Sequence, residues 1–336
     1  MRPILRVKPF AHHYSNVGAY FRSARLKSAF TFQDLYLGLS PFEAPAAFSM
    51  MPYTELADGV WYPAGGMYSI VETLAGLARE SGVELRFRSV VDRIETDAGR
   101  TTAVHLADGS RLPADVVLAN ADLPYVYRHL LPPDTEAERL WRKEYSCSTI
   151  SFFWGLDRTY EALGPHTLFL TDDYRENFDA FVHGPGLARD PSLYVHAPAR
   201  LDPSMAPRGR DTVIAIVPVA HLRDGTDQDW AALRDEARAH VLRRLASIGV
   251  ADLDRHLTFE AVFTPASWAT RCNLAKGATQ RVVAPAHPAG LVPAVEPPPP
   301  VSEPLLHWRE HASGDGGPDR DDLGPARRGA DPIGDG

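Results

Sequence analysis

Cysteine is scarce in this sequence: only Cys147 and Cys272 occur in 336 residues. So few thiols, so placed, make neither a disulfide framework nor a paired metal motif, and a reducing compartment is expected. Long apolar runs are missing as well. No stretch approaches the roughly 20 residues of a spanning helix, and the start shows no leader pattern. Membrane contact is therefore expected to be peripheral and the location cytoplasmic. Positive charge is not in excess. A net charge of −8 leaves no electrostatic footprint for nucleic acid. Metal-ligand spacing is absent except for His307 and His311, which lack the glutamate of a zinc-protease helix, so no metal is expected. His196 and His221 stand alone in strand-like contexts and read as structural. Finally, no Gly-x-Gly-x-x-Gly links a strand to a helix. Gly314, Gly316 and Gly317 cluster, but follow no strand.

What is present is globular in composition, 44% hydrophobic and 23% charged, with length for one large domain or two ordinary ones. Val17 to Leu39 spaces its apolar residues at three and four and predicts helix, broken by Pro41 and Pro45. Gly65 and Gly66 end an extended piece. Met67 to Arg79 then reads as an amphipathic helix with Ile70, Val71, Leu74, Leu77 and Ala78 on one face and Gly82 past its end. Strands are expected from Val83 to Phe87, through S-V-V-D-R-I-E and T-T-A-V-H-L, with Asp108-Gly109 as a hairpin turn. The run V-V-L-A within Asp115 to Asn120 predicts a strand buried on both faces. Further strands are expected at S-T-I-S-F-F-W-G-L, S-L-Y-V-H-A and T-V-I-A-I-V-P-V, then a helix from Asp229 to Ile248. Mixed helices and strands argue for an α/β or α+β fold. From about Gly277 the chain turns rich in proline and glycine without period, which reads as disordered.

Several blocks in order resemble the bacterial-type phytoene desaturase family, within the flavin amine-oxidase-like superfamily. They include RLKSAFTF from Arg25, LYLGLSPFEAPA from Leu35, YTELADGVWYPAGGM from Tyr53 and ADVVLANADLPYVYRHLLP from Ala114. YSCSTISFFWGLDR from Tyr145, SLYVHAPARLDPSMAP from Ser192 and FTPASWATRCNLAKGA from Phe263 continue the series. The resemblance implies a partial Rossmann-like FAD-binding domain carrying an inserted substrate domain. Residues 1–82 would supply substrate-domain helices and the Gly-Gly turn, 83–125 the middle of the FAD domain, and 126–277 the substrate domain. Residues 278–336 depart from the family. Read one base over with GC-rich codons, L-L-H-W-R-E-H-A-S-G-D-G-G-P-D-R-D yields a family-like Y-F-T-G-A-S-T-H-P-G-T-G-V-P-T-V. The tail from Ala278 or Thr279 is thus expected to be translated out of frame; DNA whose shifted frame does not encode the segment would refute this.

The implied chemistry is removal of hydrogen from a C40 or C30 polyene, with FAD taking the hydride. Such a substrate offers nothing to hydrogen-bond, so an aromatic and aliphatic tunnel is expected, and no catalytic triad. Candidates for its lining are Phe30, Phe32, Tyr36, Phe42, Trp61, Tyr62, Phe152, Phe153 and Trp154. For each of them an ordinary core position is the commoner role of such an aromatic. By resemblance Val91 offers backbone to the adenine side of FAD, and Asn120 and Asp122 stand at a strand end where α/β folds place ligands. Gly65 and Gly66 permit a tight turn beside the flavin. No catalytic residue is assigned. Two readings remain open: an FAD-dependent carotenoid desaturase in contact with a membrane, and a non-catalytic remnant or one half of a split enzyme that needs a complementing N-terminal fragment.

Overall fold

The computed structural model describes residues 11–279, apart from 185 and 227. The expected tail beyond Thr279, with His307, His311 and the glycines at 314, 316 and 317, lies outside the described residues. In chain order, helices α1 (His13–Val17), α2 (Ala24–Ala29) and α3 (Met50–Asp58) precede α4 (Tyr68–Glu80). A meander of β1 (Val91–Asp97), β2 (Arg100–Leu106) and β3 (Arg111–Pro113) follows. Then come α5 (Leu123–Tyr125), running into a π-helical turn at Val126–Leu130, and α6 (Thr135–Trp141). The rest is β4 (Ser148–Leu156), β5 (His166–Phe169), α7 (Tyr174–Val182), β6 (Leu193–His196), β7 (Asp211–Val219), α8 (Trp230–Ala246), β8 (Leu257–Phe263) and α9 (Pro265–Cys272).

The expected strands S-T-I-S-F-F-W-G-L and T-V-I-A-I-V-P-V become the middle of a five-stranded antiparallel sheet, ordered β5-β6-β7-β4-β8. β4 and β7 pair without a bulge from Ser148↔Val219 to Leu156↔Asp211. β7 reads as continuous apolar sequence from Val213 to Val219 because both its faces are covered. Ile150, Phe152, Trp154 and Leu156 of β4 join Val213, Ala215, Val217 and Val219 of β7 in the main core, under Ala237, Val241 and Leu245 of α8. These three helix residues recur every four positions and are fully buried, and each valine or leucine so buried contributes about 1.5–3 kcal/mol. Asp229 starts α8 by accepting from the backbone N–H of Ala231 and Ala232. Pro218 is tolerated in β7 because pairing with β6 ends at Ile216, which leaves that edge without a strand there.

The helical expectation for Val17 to Leu39 resolves into three pieces. α1 ends at Val17, Ser23 caps α2 by accepting from Leu26 N–H, and Phe32–Leu37 is a 3-10 turn closed by Gly38 in the left-handed region. Asp108-Gly109 makes the expected turn between β2 and β3: Gly109 has φ +88° and Leu106 N–H donates to Ser110 O.

Two expected strands are not formed. Residues 83–87 and 115–120 carry no strand pairing, and Val116 is 83% and Leu118 95% exposed. The run V-V-L-A, expected to be buried on both faces, is not: Val117 packs on a small core of Ile94, Val126 and Leu130 beneath β1, while its neighbours face solvent. What is lacking is a neighbouring strand to take the backbone groups. α4 shows the same thing: it forms where expected, yet none of its residues is buried. The described residues fall in one compact unit.

Candidate functional site

An apolar cavity of ≈ 280 Å³ lies on the face of the large sheet opposite α8. Its floor is Thr149 of β4, Tyr194 of β6 and Ile216 and Pro218 of β7, and its cover is Phe32, Leu35 and Tyr36 with Tyr174, Asn177 and Phe178 of α7. The strand period makes this arrangement. Once Val213, Ala215 and Val217 turn toward α8, Ile216 and Pro218 must face the other way. α7 is seated by Asp173, which accepts from Glu176 N–H, and by Phe178 and Phe181, which anchor a second core with Tyr174 and Cys147. Phe42 stands behind this wall, its ring 6.1 Å from Tyr174 and 6.4 Å from Phe178.

No charge faces the cavity from its titratable groups at neutral pH. Burial pushes the Tyr36 and Tyr194 hydroxyls and the Cys147 thiol up to about 12, and raises Tyr174 as well. One polar group stands out. Asn177 Oδ1 accepts from Ser192 N–H at 2.7 Å, which fixes the amide orientation, and Asn177 Nδ2 has no partner among the described residues. At Cys147 the cavity meets a second, polar one of ≈ 530 Å³ lined by Lys143, Glu144, His221, Arg223 and Lys276 among others. His221 there is held below its ordinary pKa by burial, and its Nδ1 lies 2.7 Å from Leu222 O. His196 lies 2.8 Å from Pro165 O through Nδ1 and stacks on His166, in a structural setting.

Of the expected tunnel residues, Phe32 and Tyr36 are in this wall. Phe152 and Trp154 are not: they are buried on the opposite face of β4, and Trp154 Nε1 donates to Glu260. A strand cannot point 152, 153 and 154 the same way. Phe153 faces the other side, edge-on to Phe263 at 5.8 Å. Phe30 lines a separate groove, stacked on Phe21. Trp61 is 88% exposed. Tyr62 packs edge-on to His196. Composition alone did not point to Leu35, Tyr174, Asn177, Phe178 or Tyr194. The one usable signal was the alternation in β6 and β7.

The residues expected around a nucleotide fall in three places. Gly65 and Gly66 take φ +81° and +83°. Gly65 N–H donates to Asp202 at 2.6 Å, and a Cβ on Gly66 would meet Met205 Sδ at 2.6 Å. The turn is therefore clamped to the Pro203–Met205 loop ahead of β7. Asp122 accepts from Ala275 N–H at 2.8 Å, which ties the end of the exposed segment to the residues after α9, while Asn120 is exposed. Val91 pairs with Leu106 and packs on the core beneath β1.

Together these features define a mixed helix-and-sheet protein with an apolar cavity whose titratable groups stay neutral. The fold is similar to that of an oxidoreductase from Methanosarcina mazei, at TM-score 0.53 and 15% identity over 75% of this chain and 56% of that one. Residues 10–297 match the family described as flavin containing amine oxidoreductase, and the chain belongs to it. Within the curated proteins it is 41% identical over 288 residues to a phytoene desaturase of Neurospora crassa, covering 82% of this chain and 48% of that protein. It is also 41% identical over 278 residues to a zeta-carotene-forming phytoene desaturase of Myxococcus xanthus, covering 82% and 53%. The chain spans about half the length of the curated relatives it matches.

Family membership brings a flavin. The described residues fit one wall of its site. The exposed segment 115–120 and the uncovered face of α4 present apolar side chains that a bound group would cover. They do not supply a phosphate cradle, since the glycine turn before α4 is occupied by Asp202 and Met205.

Proposed function

We propose that this chain forms the polyene-binding portion of an FAD-dependent carotenoid desaturase, which introduces double bonds into a C40 or C30 polyene. The observation that carries this reading is the uncharged apolar cavity over β4, β6 and β7, in a chain similar to phytoene desaturases. A hydrocarbon gains only from apolar burial and shape, and a cavity whose tyrosines and thiol all stay neutral charges no desolvation penalty for admitting one. Phe32, Tyr36, Tyr174 and Phe178 orient the chain and exclude water. FAD, when bound, supplies the hydride acceptor. Val91, Asn120, Asp122, Gly65 and Gly66 remain the candidates for its contacts. Trp61, Tyr53, Leu56 and Met50, all exposed on or just after α3, offer an apolar patch for peripheral contact with a membrane, where the substrate dissolves. Among the described residues no helix is long and apolar enough to cross one.

A specific observation favours a second arrangement of the same function. Val116, Leu118, Phe87 and Val90 are exposed, as is the apolar face of the helix α4. A complementing polypeptide that carries the dinucleotide turn would cover them. The test is flavin retention. The chain is mixed with FAD and desalted, and the flavin bands are read; phytoene in liposomes is then added and the products are separated. Retained flavin with desaturated product supports the first arrangement. Colour and product that appear only with a separately expressed Gly-x-Gly-x-x-Gly segment support the second. Flavin retained under either condition without product refutes the desaturase reading.

A further inference from the structure

The 3-10 turn Phe32–Leu37 covers the apolar cavity with Phe32, Leu35 and Tyr36. Side chains three positions apart eclipse in such a turn, so Phe32 and Leu35 share one side, and Thr31 and Asp34 share another. Thr31, Gln33 and Asp34 are polar and all but fully buried. Each is tied to a different helix. Thr31 Oγ1 hydrogen-bonds the Tyr174 hydroxyl of α7 at 3.3 Å. Gln33 Nε2 donates to Glu55 of α3 at 2.9 Å. His13 Nδ1 of α1 lies 2.9 Å from both oxygens of Asp34, and both side chains are at 0% exposure.

The α1 end of the last tie is itself fixed. His13 N–H donates to Ala44 O and Tyr14 N–H to Pro41 O, while Leu39 N–H closes the turn on Asp34 O. Apolar contact is non-directional, so packing alone would let Phe32 and Leu35 slide over the floor strands. Hydrogen bonds tolerate only a narrow range of distance and angle. Attachment at three points to three helices leaves the turn no free rotation. Of the three ties, His13–Asp34 is the one wholly out of water and behind the wall: Glu55 is only part-buried, and Tyr174 lines the cavity itself. The height of the cover above β6 and β7 is therefore set from the rear, by a pair that does not line the cavity.

We propose that His13 and Asp34 are positioning residues for the apolar cavity: by holding the cover turn at one height they make the site selective for a slender polyene over a thicker one. This rests on the reading of the cavity as the polyene site. At ≈ 280 Å³ the cavity is at the small end of ligand sites. It fits one slender segment, and an occupant of greater cross-section must lift Phe32, Leu35 and Tyr36 together. Interiors are close-packed, so a fixed cover rejects excess width and a loosened one yields to it.

The test titrates the full 336-residue chain with two fluorescent hydrocarbons, the slender diphenylhexatriene and the thicker tetraphenylbutadiene, and reads the ratio of their affinities. The ratio does not depend on the fraction of chain that is folded, so a merely structural loss leaves it unchanged. The native chain should prefer diphenylhexatriene by at least about tenfold. His13→Leu should bring the two probes within about threefold of each other. His13→Asn, whose amide nitrogen stands as many bonds from the backbone as Nδ1, should restore the preference. His13→Leu/Asp34→Leu leaves no buried charge unpaired and so keeps the fold if the single variant loses it; its ratio should fall as far. A native chain that binds neither probe overturns the polyene-site reading and this inference with it. Binding of diphenylhexatriene without preference, or a preference that survives in either leucine variant, overturns this inference alone. So does a loss in His13→Asn as large as in His13→Leu, which would assign the effect to side-chain volume. A preference that survives Ile216→Trp, which fills the cavity from its floor, lies elsewhere and overturns it too.

Discussion

Replacing Arg200 by methionine should be among the most damaging single changes in the chain. The Asp211 carboxylate at the start of β7 is fully buried, and Arg200 grips it with two bonds, Nη1 to Oδ1 at 3.2 Å and Nη2 to Oδ2 at 2.7 Å. The same guanidinium donates to Leu163 O and Tyr160 O. Without it, Asp211 keeps only Thr212 N–H among the described residues, and two carbonyls lose this donor. Removing one partner of a buried pair costs about 3–5 kcal/mol, because the charge left behind cannot reach water. The arginine side chain is 22% exposed, so water can enter its place and keep the total in that range. Against a domain stability of about 5–15 kcal/mol this is a large fraction. Urea unfolding followed by tryptophan fluorescence reads it, with an unchanged slope expected if only stability changes. Arg200→Met/Asp211→Leu should recover at least about 2 kcal/mol relative to the single variant, since the orphaned charge is gone. A single variant that costs under about 1 kcal/mol, or a double variant no more stable than the single, would refute the reasoning.

Gly66→Ala should destabilise by about 1–3 kcal/mol, since φ is +83° and the new Cβ would strike Met205 Sδ; Met205→Ala should return part of the loss in the same denaturation assay. Leu118→Ser should change the stability of this chain by no more than about 0.5 kcal/mol, because the side chain is 95% exposed; a loss of about 2 kcal/mol would mean that the segment is buried after all. Iodoacetamide at pH 8 should label Cys272, which is exposed, and spare Cys147, which is buried with its thiol pushed up to about 12; mass spectrometry counts the adducts, and two on the folded chain would contradict the burial. Glu95 is held below the ordinary carboxylate range by hydrogen bonds from Arg111, then His105 and Thr102. Its folded pKa is depressed, so its contribution is present above the unfolded value near 4.3 and lost as pH falls below it. The stability gap between the native chain and Glu95→Gln should therefore shrink on titration from pH 6 to pH 3, and a gap that widens would reverse the sign.

The sequence by itself determined the elements whose signal is local. Asp229 and the four-residue spacing of Ala237, Val241 and Leu245 specify α8. S-T-I-S-F-F-W-G-L and T-V-I-A-I-V-P-V specify the strands β4 and β7, and Asp108-Gly109 specifies a turn. The blocks shared with phytoene desaturases placed the chain in its family, as the match over residues 10–297 bears out. Tertiary structure alone decided which face each residue serves. S-T-I-S-F-F-W-G-L reads as a strand, but which of Phe152, Phe153 and Trp154 faces α8 depends on where α8 packs, and the period of two then sends its neighbour to the other side. Val83 to Phe87 and Asp115 to Asn120 have strand sequences and form no strands, because a strand is completed by hydrogen bonds to a neighbour that its own residues do not contain. The His13–Asp34 pair was equally invisible, since nothing in two single residues 21 positions apart announces that packing will bring them to 2.9 Å with no water between.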